Sequence, residues 1–364
     1  MIRIIKHSYI GFAWLYGAFI LSWLTLHTLF GDQIWWLALL NVMAPYLFLP
    51  LFPLLIGSIY YRSPAVYAPM LSVTLTFLAL YGQQFPFQRL PLHTVNKPTL
   101  RVMSFNIWSG SRTEETAKVM GKNNWPDIVA IQELTPHMAT VIAPVVQERY
   151  PYYSLSFPAA QSGMGIYSRY PLHTLADSAL SDPGWQVQIV EVHVADKLFI
   201  LYNVHPHATN VYLYLEQGLS LPKAVRSSYQ SRLLFVQRLL ADIHQRQEPV
   251  IVAGDFNSTE QSDVYKVLTN QLSDAYRDAG WGFGHTFPAY SASFREIPPI
   301  AKFASFIYTR AIRFVPSYYL NSFRLLRIDM ILYDSAFKAT SSRVSSAHGE
   351  SDHLPVLATL QWVK

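Results

Sequence analysis

The chain of 364 residues contains no cysteine. That absence excludes a disulfide framework, thiolate zinc sites, iron–sulfur clusters and cysteine nucleophiles. Charge is also scarce, at 14% of residues against 51% apolar, where a soluble domain averages about 25% charged. So much apolar surface excludes intrinsic disorder. The scarcity is local: between residues 8 and 87 the only formal charges are Asp32 and Arg62. Residues 1–98 carry five Lys or Arg (Arg3, Lys6, Arg62, Arg89, Lys97) against one acid, which leaves 23 basic and 22 acidic residues for 99–364. The net charge of +5 therefore sits mostly at the front. The near-neutral remainder lacks the bulk polycationic character that a high pI alone would suggest for a nucleic-acid binder. Internal repeats and low-complexity tracts are missing as well.

Three long apolar runs fill the charge-poor region, at 9–30, 33–57 and 64–82. About 20 apolar residues cross the hydrocarbon core of a bilayer as a helix, and Trp and Tyr near the run ends match interfacial anchors. These runs predict three transmembrane helices. Pro45, Pro50 and Pro53 predict a kink or break in the second. A cleaved signal peptide fits poorly, because no small-residue cleavage site precedes two further runs. Arg3 and Lys6 before the first span and Arg62 in the second loop put the amino terminus in the cytoplasm. Three crossings then place residues 83–364 outside, on the extracytoplasmic or periplasmic side of the cytoplasmic (inner) membrane. Residues 83–98, rich in Pro and polar groups, read as a linker.

From residue 99 onward the pattern changes to short β-rich runs between turns, with helical patterns at 113–123 and 228–247. Such alternation predicts an α/β sandwich. Polar residues cluster at strand ends: Asn106, Glu133, His205, Asp255, Asn257, Asp329, Asp352 and His353. Residues i and i+2 of a strand share a side, so Asp255 and Asn257 can face one cleft.

The ordered series SFNIW, IQEL, GIYSRYPL, NVHPH, GDFNS, RIDMIL and SDHLPV resembles the endonuclease/exonuclease/phosphatase superfamily, across about residues 99–364. That superfamily includes deoxyribonuclease I-type nucleases, abasic-site endonucleases, inositol polyphosphate 5-phosphatases and neutral sphingomyelinases. The resemblance implies a four-layer α/β/β/α sandwich, a divalent metal (Mg²⁺, with Mn²⁺ as a substitute) and hydrolysis of a phosphoester bond. Carried over residue by residue, it implies Glu133 as metal ligand, with Asn106 beside it binding the metal or a phosphate oxygen, and Asp352 as a further metal-side carboxylate. It implies Asp255 as the group orienting or deprotonating the attacking water, and Asn257 as a donor to the phosphoryl oxygen. Asp329 and His353 would form a coupled pair, since a carboxylate beside an imidazole favours the imidazolium. His205 matches a second catalytic histidine, although His207 could share its face. The other histidines of residues 99–364, His137, His173, His193, His244, His285 and His348, read as ordinary surface or packing residues.

Two stretches are long, 207–229 and 281–327. The second carries Arg295, Lys302, Arg310, Arg313, Arg324 and Arg327 against Glu296, interleaved with aromatics. Basic and aromatic residues together suit a membrane surface or single-stranded nucleic acid. On a tethered domain the bilayer is the cheaper partner, and the insertion would help admit a lipid-linked phosphate. The sequence thus points to a membrane-anchored phosphoesterase acting on a lipid or lipid-linked headgroup. The alternative is a membrane-tethered nuclease on DNA or RNA. A binding protein on a retired phosphoesterase fold would lack some of these polar positions, and all are present.

Overall fold

The computed structural model describes residues 2–86, 98–158, 162–176, 180, 184–206, 218–289 and 324–363. His207 and most of the basic–aromatic insertion lie outside these residues.

The front of the chain forms α1 (Ile2–Phe30), α2 (Trp35–Val42), a 3-10 turn (Ala44–Phe48), α3 (Leu51–Tyr61), a second 3-10 turn (Pro64–Val66), α4 (Tyr67–Tyr81) and a third (Gly82–Gln84). Among the described residues, three helical stretches are long and apolar enough to cross a membrane: Arg3–Phe30, Ala44–Tyr61 and Pro64–Gln84. The second differs from the run read in the sequence. The chain leaves α2 at Met43 and passes Pro45 in the 3-10 turn, and Pro50 caps α3. Proline lacks an N–H and clashes with the preceding turn, so it suits a helix start and not its interior. The short α2 packs on the following domain instead of continuing into the span. Large apolar side chains point outward along the bundle, including Leu15, Phe52, Ile56, Ile59, Leu71 and Leu75. Ala13, Ile20, Leu37, Phe48, Leu54, Met70 and Val73 fill its interior. Apolar groups on both sides fit a hydrocarbon surrounding rather than water.

The remainder runs β1 (Thr99–Asn106), α5 (Glu115–Lys122), β2 (Ile128–Leu134), α6 (Pro136–Val146), β3 (Tyr152–Ser156), β4 (Gly163–Ser168), β5 (Leu172–Leu175), β6 (Trp185–Val194) and β7 (Lys197–Pro206). It continues with α7 (Leu221–Ile243), β8 (Val250–Asp255), α8 (Asp263–Thr269), β9 (Ser273–Asp274), α9 (Ala275–Ala279), β10 (Asp329–Tyr333), β11 (Phe337–Val344) and β12 (Val356–Trp362). Among the described residues these strands make two six-stranded sheets, ordered β11-β12-β1-β2-β4-β3 and β5-β6-β7-β8-β10-β9. At the centre of each lies one parallel pair, β1 with β2 and β7 with β8, and the other neighbours are antiparallel.

The sheets pack face to face through Val102, Ile128, Ala130, Ile166, Val190, Leu201, Ile251 and Ile331. On the outer face of the first sheet, α5 and α6 contribute Ala117, Met120, Met138 and Ile142. On the second, α7 and α8 contribute Phe235, Val236, Leu239, Val264 and Leu268. The spacing of Val225, Tyr229, Val236 and Leu240 along α7 is the helical period that buries one stripe. Central strands buried on both faces read as continuous apolar runs, and polar residues are left to their ends. The result is the α/β/β/α sandwich expected from the sequence.

Candidate active site

The site gathers at one end of the two central parallel pairs. Asn106 ends β1 and is buried. Its Nδ2 donates to Glu133 Oε1 at 3.1 Å and to Asp255 Oδ2 at 3.1 Å, across the gap between the sheets. Its Oδ1 accepts from the Trp108 N–H at 3.0 Å, which fixes the amide's orientation. Glu133 sits on a bulge, where the β2–β4 register shifts between Gln132 and Leu134, with φ of 56°. A bulge re-aims a side chain, and here it turns Glu133 toward the crevice, where Oε2 accepts from the Ser109 N–H at 2.9 Å.

Asp255 ends β8 and faces Asp329 directly across the β8–β10 pairing. Gly254 precedes it, and a Cβ built there would collide with the Val204 carbonyl oxygen of β7. Only glycine lets the two strands approach this closely, and that approach carries His205 to Asp255. His205 Nε2 lies 3.8 Å from Glu133 Oε1 and 3.7 Å from Asp255 Oδ2. Asn257 adopts φ of 50°, a left-handed conformation that asparagine tolerates. Its N–H caps Asp255 Oδ1 at 2.8 Å, and its Nδ2 donates to Pro206 O at 3.0 Å, leaving one amide hydrogen for a ligand.

His353 Nδ1 meets Asp329 Oδ2 at 2.9 Å, while Nε2 lies 3.8 Å from Asp255 Oδ2 and 4.0 Å from Asp352 Oδ1. All eight residues singled out in the sequence thus surround one crevice.

Four carboxylates against two imidazoles give the crevice surplus negative charge. Burial, and then Asp329, push the Asp255 carboxyl up, against the opposing pull of His353 and His205. Burial, Glu133 and Asp255 push Asp352 up to about 6. Burial would also raise Glu133, but His205, the Ser109 N–H, Asn106 and His353 outweigh it and hold that carboxyl below the usual range. Burial disfavours the His353 cation, yet Asp329 and Asp255 dominate and push its pKa up to about 10. The pairing therefore favours the His353 imidazolium.

A divalent cation fits this donor set. Mg²⁺ takes hard oxygen ligands, with one or two carboxylates and the rest water, and Glu133 and Asp352 are the partly open carboxylates facing the crevice. Asp255, Asp329 and His353 also bring one ligand atom each within 4.8 Å of one another. There, however, Asp329 Oδ2 and His353 Nδ1 already satisfy each other, so that trio is better suited to proton handling than to metal.

The sequence reading passed over the groups that hold these side chains. Ser351 Oγ donates to Asn106 O at 2.6 Å and accepts from the His353 N–H at 3.0 Å, so it ties the end of β1 to the histidine. Thr286 Oγ1 accepts from the Ile328 and Asp329 N–H groups at 3.3 and 3.4 Å. Phe287 lays its ring 4.9 Å from that of His353. Ser351 stood in plain view in SDHLPV; Thr286 and Phe287 carry no signal in a loop of unremarkable composition.

The sequence profile of the Endonuclease/Exonuclease/phosphatase family matches residues 103–353, well over half of the chain. The chain therefore belongs to the endonuclease/exonuclease/phosphatase family, whose members hydrolyse phosphoester bonds with divalent metal ions. No functionally curated protein matches it. Among solved structures, an endonuclease/exonuclease/phosphatase family protein from Bacteroides thetaiotaomicron superposes with a TM-score of 0.51 at 16% identity, over 74% of this chain and 100% of that one. A conserved protein of unknown function from Enterococcus faecalis gives 0.49 at 16%, over 72% and 100%. TDP2 from D. rerio, solved with a single-strand DNA product, gives 0.49 at 16%, over 72% and 99%. The first of these likenesses supports the fold.

Proposed function

We propose that the protein is a membrane-anchored phosphoesterase that uses Mg²⁺, or Mn²⁺ in its place, to hydrolyse a phosphodiester, pyrophosphate or phosphomonoester of a lipid or lipid-linked headgroup. It would act at the outer face of the cytoplasmic membrane. The observation that carries this reading is the attachment of the catalytic crevice's own domain to the membrane bundle. Asp32, between α1 and α2, exchanges hydrogen bonds with Asp263 at the start of α8: the N–H of each donates to the other's carboxylate, at 2.8 and 2.9 Å. Gln84, at the end of the third span, donates to Glu260 at 2.8 Å. A domain seated this closely on the bundle meets lipid headgroups before it meets soluble polymers.

The same packing supports the proposed orientation. The opposite end of the bundle brings the start of α1 to the 61–65 turn, where Tyr9 and Tyr61 pack their rings 5.1 Å apart and Trp14 bonds Ala65 O. Arg3, Lys6 and Arg62 belong to that end, away from the catalytic domain. Basic residues stay on the cytoplasmic side, which supports an external catalytic domain.

In the proposed reaction Glu133 and Asp352 would hold the cation, with Asn106 aligning Glu133 and Asp255. A bound cation would neutralise phosphate oxygens and so lower the barrier to attack. Asp255, its carboxyl raised by burial and Asp329, accepts a proton from the attacking water. Asn257 donates its free amide hydrogen to a phosphoryl oxygen, and the His353 imidazolium, oriented by Asp329, stabilises the charge that grows in the transition state. His205, between Glu133 and Asp255, completes the polar wall.

The test is a substrate panel with purified full-length protein in detergent: phosphoinositides, sphingomyelin, polyprenyl pyrophosphate, and single- and double-stranded DNA, each with Mg²⁺ and with EDTA. The reading predicts Mg²⁺-dependent turnover of a lipid phosphate. Turnover confined to DNA would replace it with the nuclease reading, for which a salt-sensitive basic groove would be needed.

A further inference from the structure

We propose that the membrane bundle supplies a positioning residue of the active site: Tyr46, at the start of the second span, holds the His353 imidazole in place through the segments at 324–326 and 285–289. The inference rests on the proposed phosphoesterase reading for its kinetic arm, but its geometry stands alone.

Tyr46 Oη reaches out of the bundle and donates to Leu325 O at 2.8 Å, with Arg324 O at 3.3 Å. His285 bonds the same stretch beside it: its Nδ1 lies 3.0 Å from Arg324 O and 3.5 Å from Tyr46 Oη. Burial pushes His285 down to about 4, so the ring is neutral and donates from Nδ1. The Tyr46 and His285 rings also contact each other, with centroids 5.9 Å apart.

The clamped stretch is bonded to residue 287 on its next rung. Leu325 N and Leu326 N donate to Phe287 O at 2.9 and 2.8 Å, and Phe287 N returns a bond to Leu326 O at 2.9 Å. Thr286 N likewise donates to Leu326 O, at 2.7 Å. The 286–289 segment is in turn stitched to the catalytic loop: Leu354 N donates to Thr286 O at 2.8 Å, and Ala289 N donates to Asp352 O at 2.6 Å. Between those two bonds lies His353, with the Phe287 ring against its imidazole. An unbroken path of hydrogen bonds therefore runs from a phenol in the membrane bundle to the backbone on both sides of the catalytic histidine.

Phe287 is the last member of this path and the one that touches His353. If it were only core filling, it would need no support from the bundle. The bonds at Leu325 and Leu326 hold its backbone, so loss of the Tyr46 anchor lets the ring withdraw from the imidazole.

The experiment compares full-length wild type with Tyr46→Phe, Phe287→Leu and the double variant in detergent. Tyr9→Phe is the control, because it removes a tyrosine bond to Leu54 O inside the bundle, remote from the catalytic domain. Two readouts are taken: the side-chain resonances of His353 in ¹⁵N-histidine-labelled protein, assigned by their loss in His353→Gln, and kcat and KM on the best substrate of the panel. Tyr46→Phe should displace or broaden the His353 resonances and lower kcat about 3- to 10-fold with KM unchanged, which corresponds to removing one positioning bond. The double variant should fall no further than Phe287→Leu, as members of one path are non-additive. Unmoved resonances in Tyr46→Phe, or additive losses in the double variant, would overturn the inference. If Tyr46→Phe fails to fold, His285→Asn loosens the same stretch from the catalytic-domain side and must move the same resonances. A wild type with no turnover on the panel sinks the proposed function, while the resonances still decide the path.

Discussion

His353 shows how little of a residue's behaviour lies in its own chemistry. An isolated imidazole loses its proton near 6.5; this one is held charged toward 10 by Asp329 and Asp255. The sign of the linkage follows. A histidine whose folded pKa is raised adds stability that is fully present below its unfolded pKa and is lost as pH rises through the folded value. In EDTA, the thermal midpoint of wild type should exceed that of His353→Gln at pH 6, and the gap should close between about pH 6.5 and 10. A gap that stays constant across that window would show that His353 is not paired as described. Single residues of the site were legible because their types are unusual where they stand. A Glu, three Asp and two His at the ends of apolar strands have no packing reason to be there. Ser351, Thr286 and Phe287 escaped notice because serine, threonine and phenylalanine are ordinary in loops; their role exists only in the contacts they make.

At the scale of elements, the sandwich was readable from period and order, since central strands buried on both faces must be apolar and leave polarity to their ends. Helix ends drifted by several residues: the pattern read at 228–247 belongs to a helix that begins at Leu221 and stops at Ile243. The second apolar run was the larger departure. Its prolines announced a break, but where the helix restarts is decided by α2 docking on α7, a contact between segments about 190 residues apart that no local pattern encodes. Arg327 is a second correction. Counted by sequence with a basic–aromatic surface, it is buried and bonds Glu260 at 2.6 Å and Asp274 at 2.7 Å, joining the loop before β10 to α9. Burial raises the Asp274 carboxyl, but Arg327 more than reverses that and holds it below the usual range. Removing the arginine strands the buried Asp274 and the largely covered Glu260. Arg327→Leu should therefore destabilise the domain by about 3–5 kcal/mol, the usual cost of breaking a buried pair from one side. Chemical denaturation of the detergent-solubilised protein measures it, and a loss below about 1 kcal/mol would return Arg327 to the surface.

For the whole molecule, bundle and sandwich share one polar seam. Asn41 donates to Asp32 Oδ1 and Gly31 O and accepts from Trp23, Tyr229 donates to Asp263, and Arg277 reaches Gln83. Charge segregation announced that the chain has two halves; the seam was invisible because its partners are scattered over the full length and each alone resembles a common cap. The seam fixes which end of the bundle faces the crevice, so the proposed topology can be tested directly, and a chain without cysteine suits the purpose. Gln247→Cys should react with a membrane-impermeant maleimide in intact cells made permeable only at any outer barrier. Ala65→Cys should react only after the cytoplasmic membrane is opened. The reverse pattern would place the catalytic domain inside.

The central claim is that Asp255 and His353 act in one crevice on a phosphoester bond. Its most direct measurement is the Mg²⁺-dependent kcat of Asp255→Ala and His353→Ala, on whichever phosphoester wild type turns over, with both variants shown to be folded. Each should fall by at least about 10²-fold, the scale of losing one acid–base or charge-stabilising group. Turnover near the wild-type rate in both variants would contradict the account.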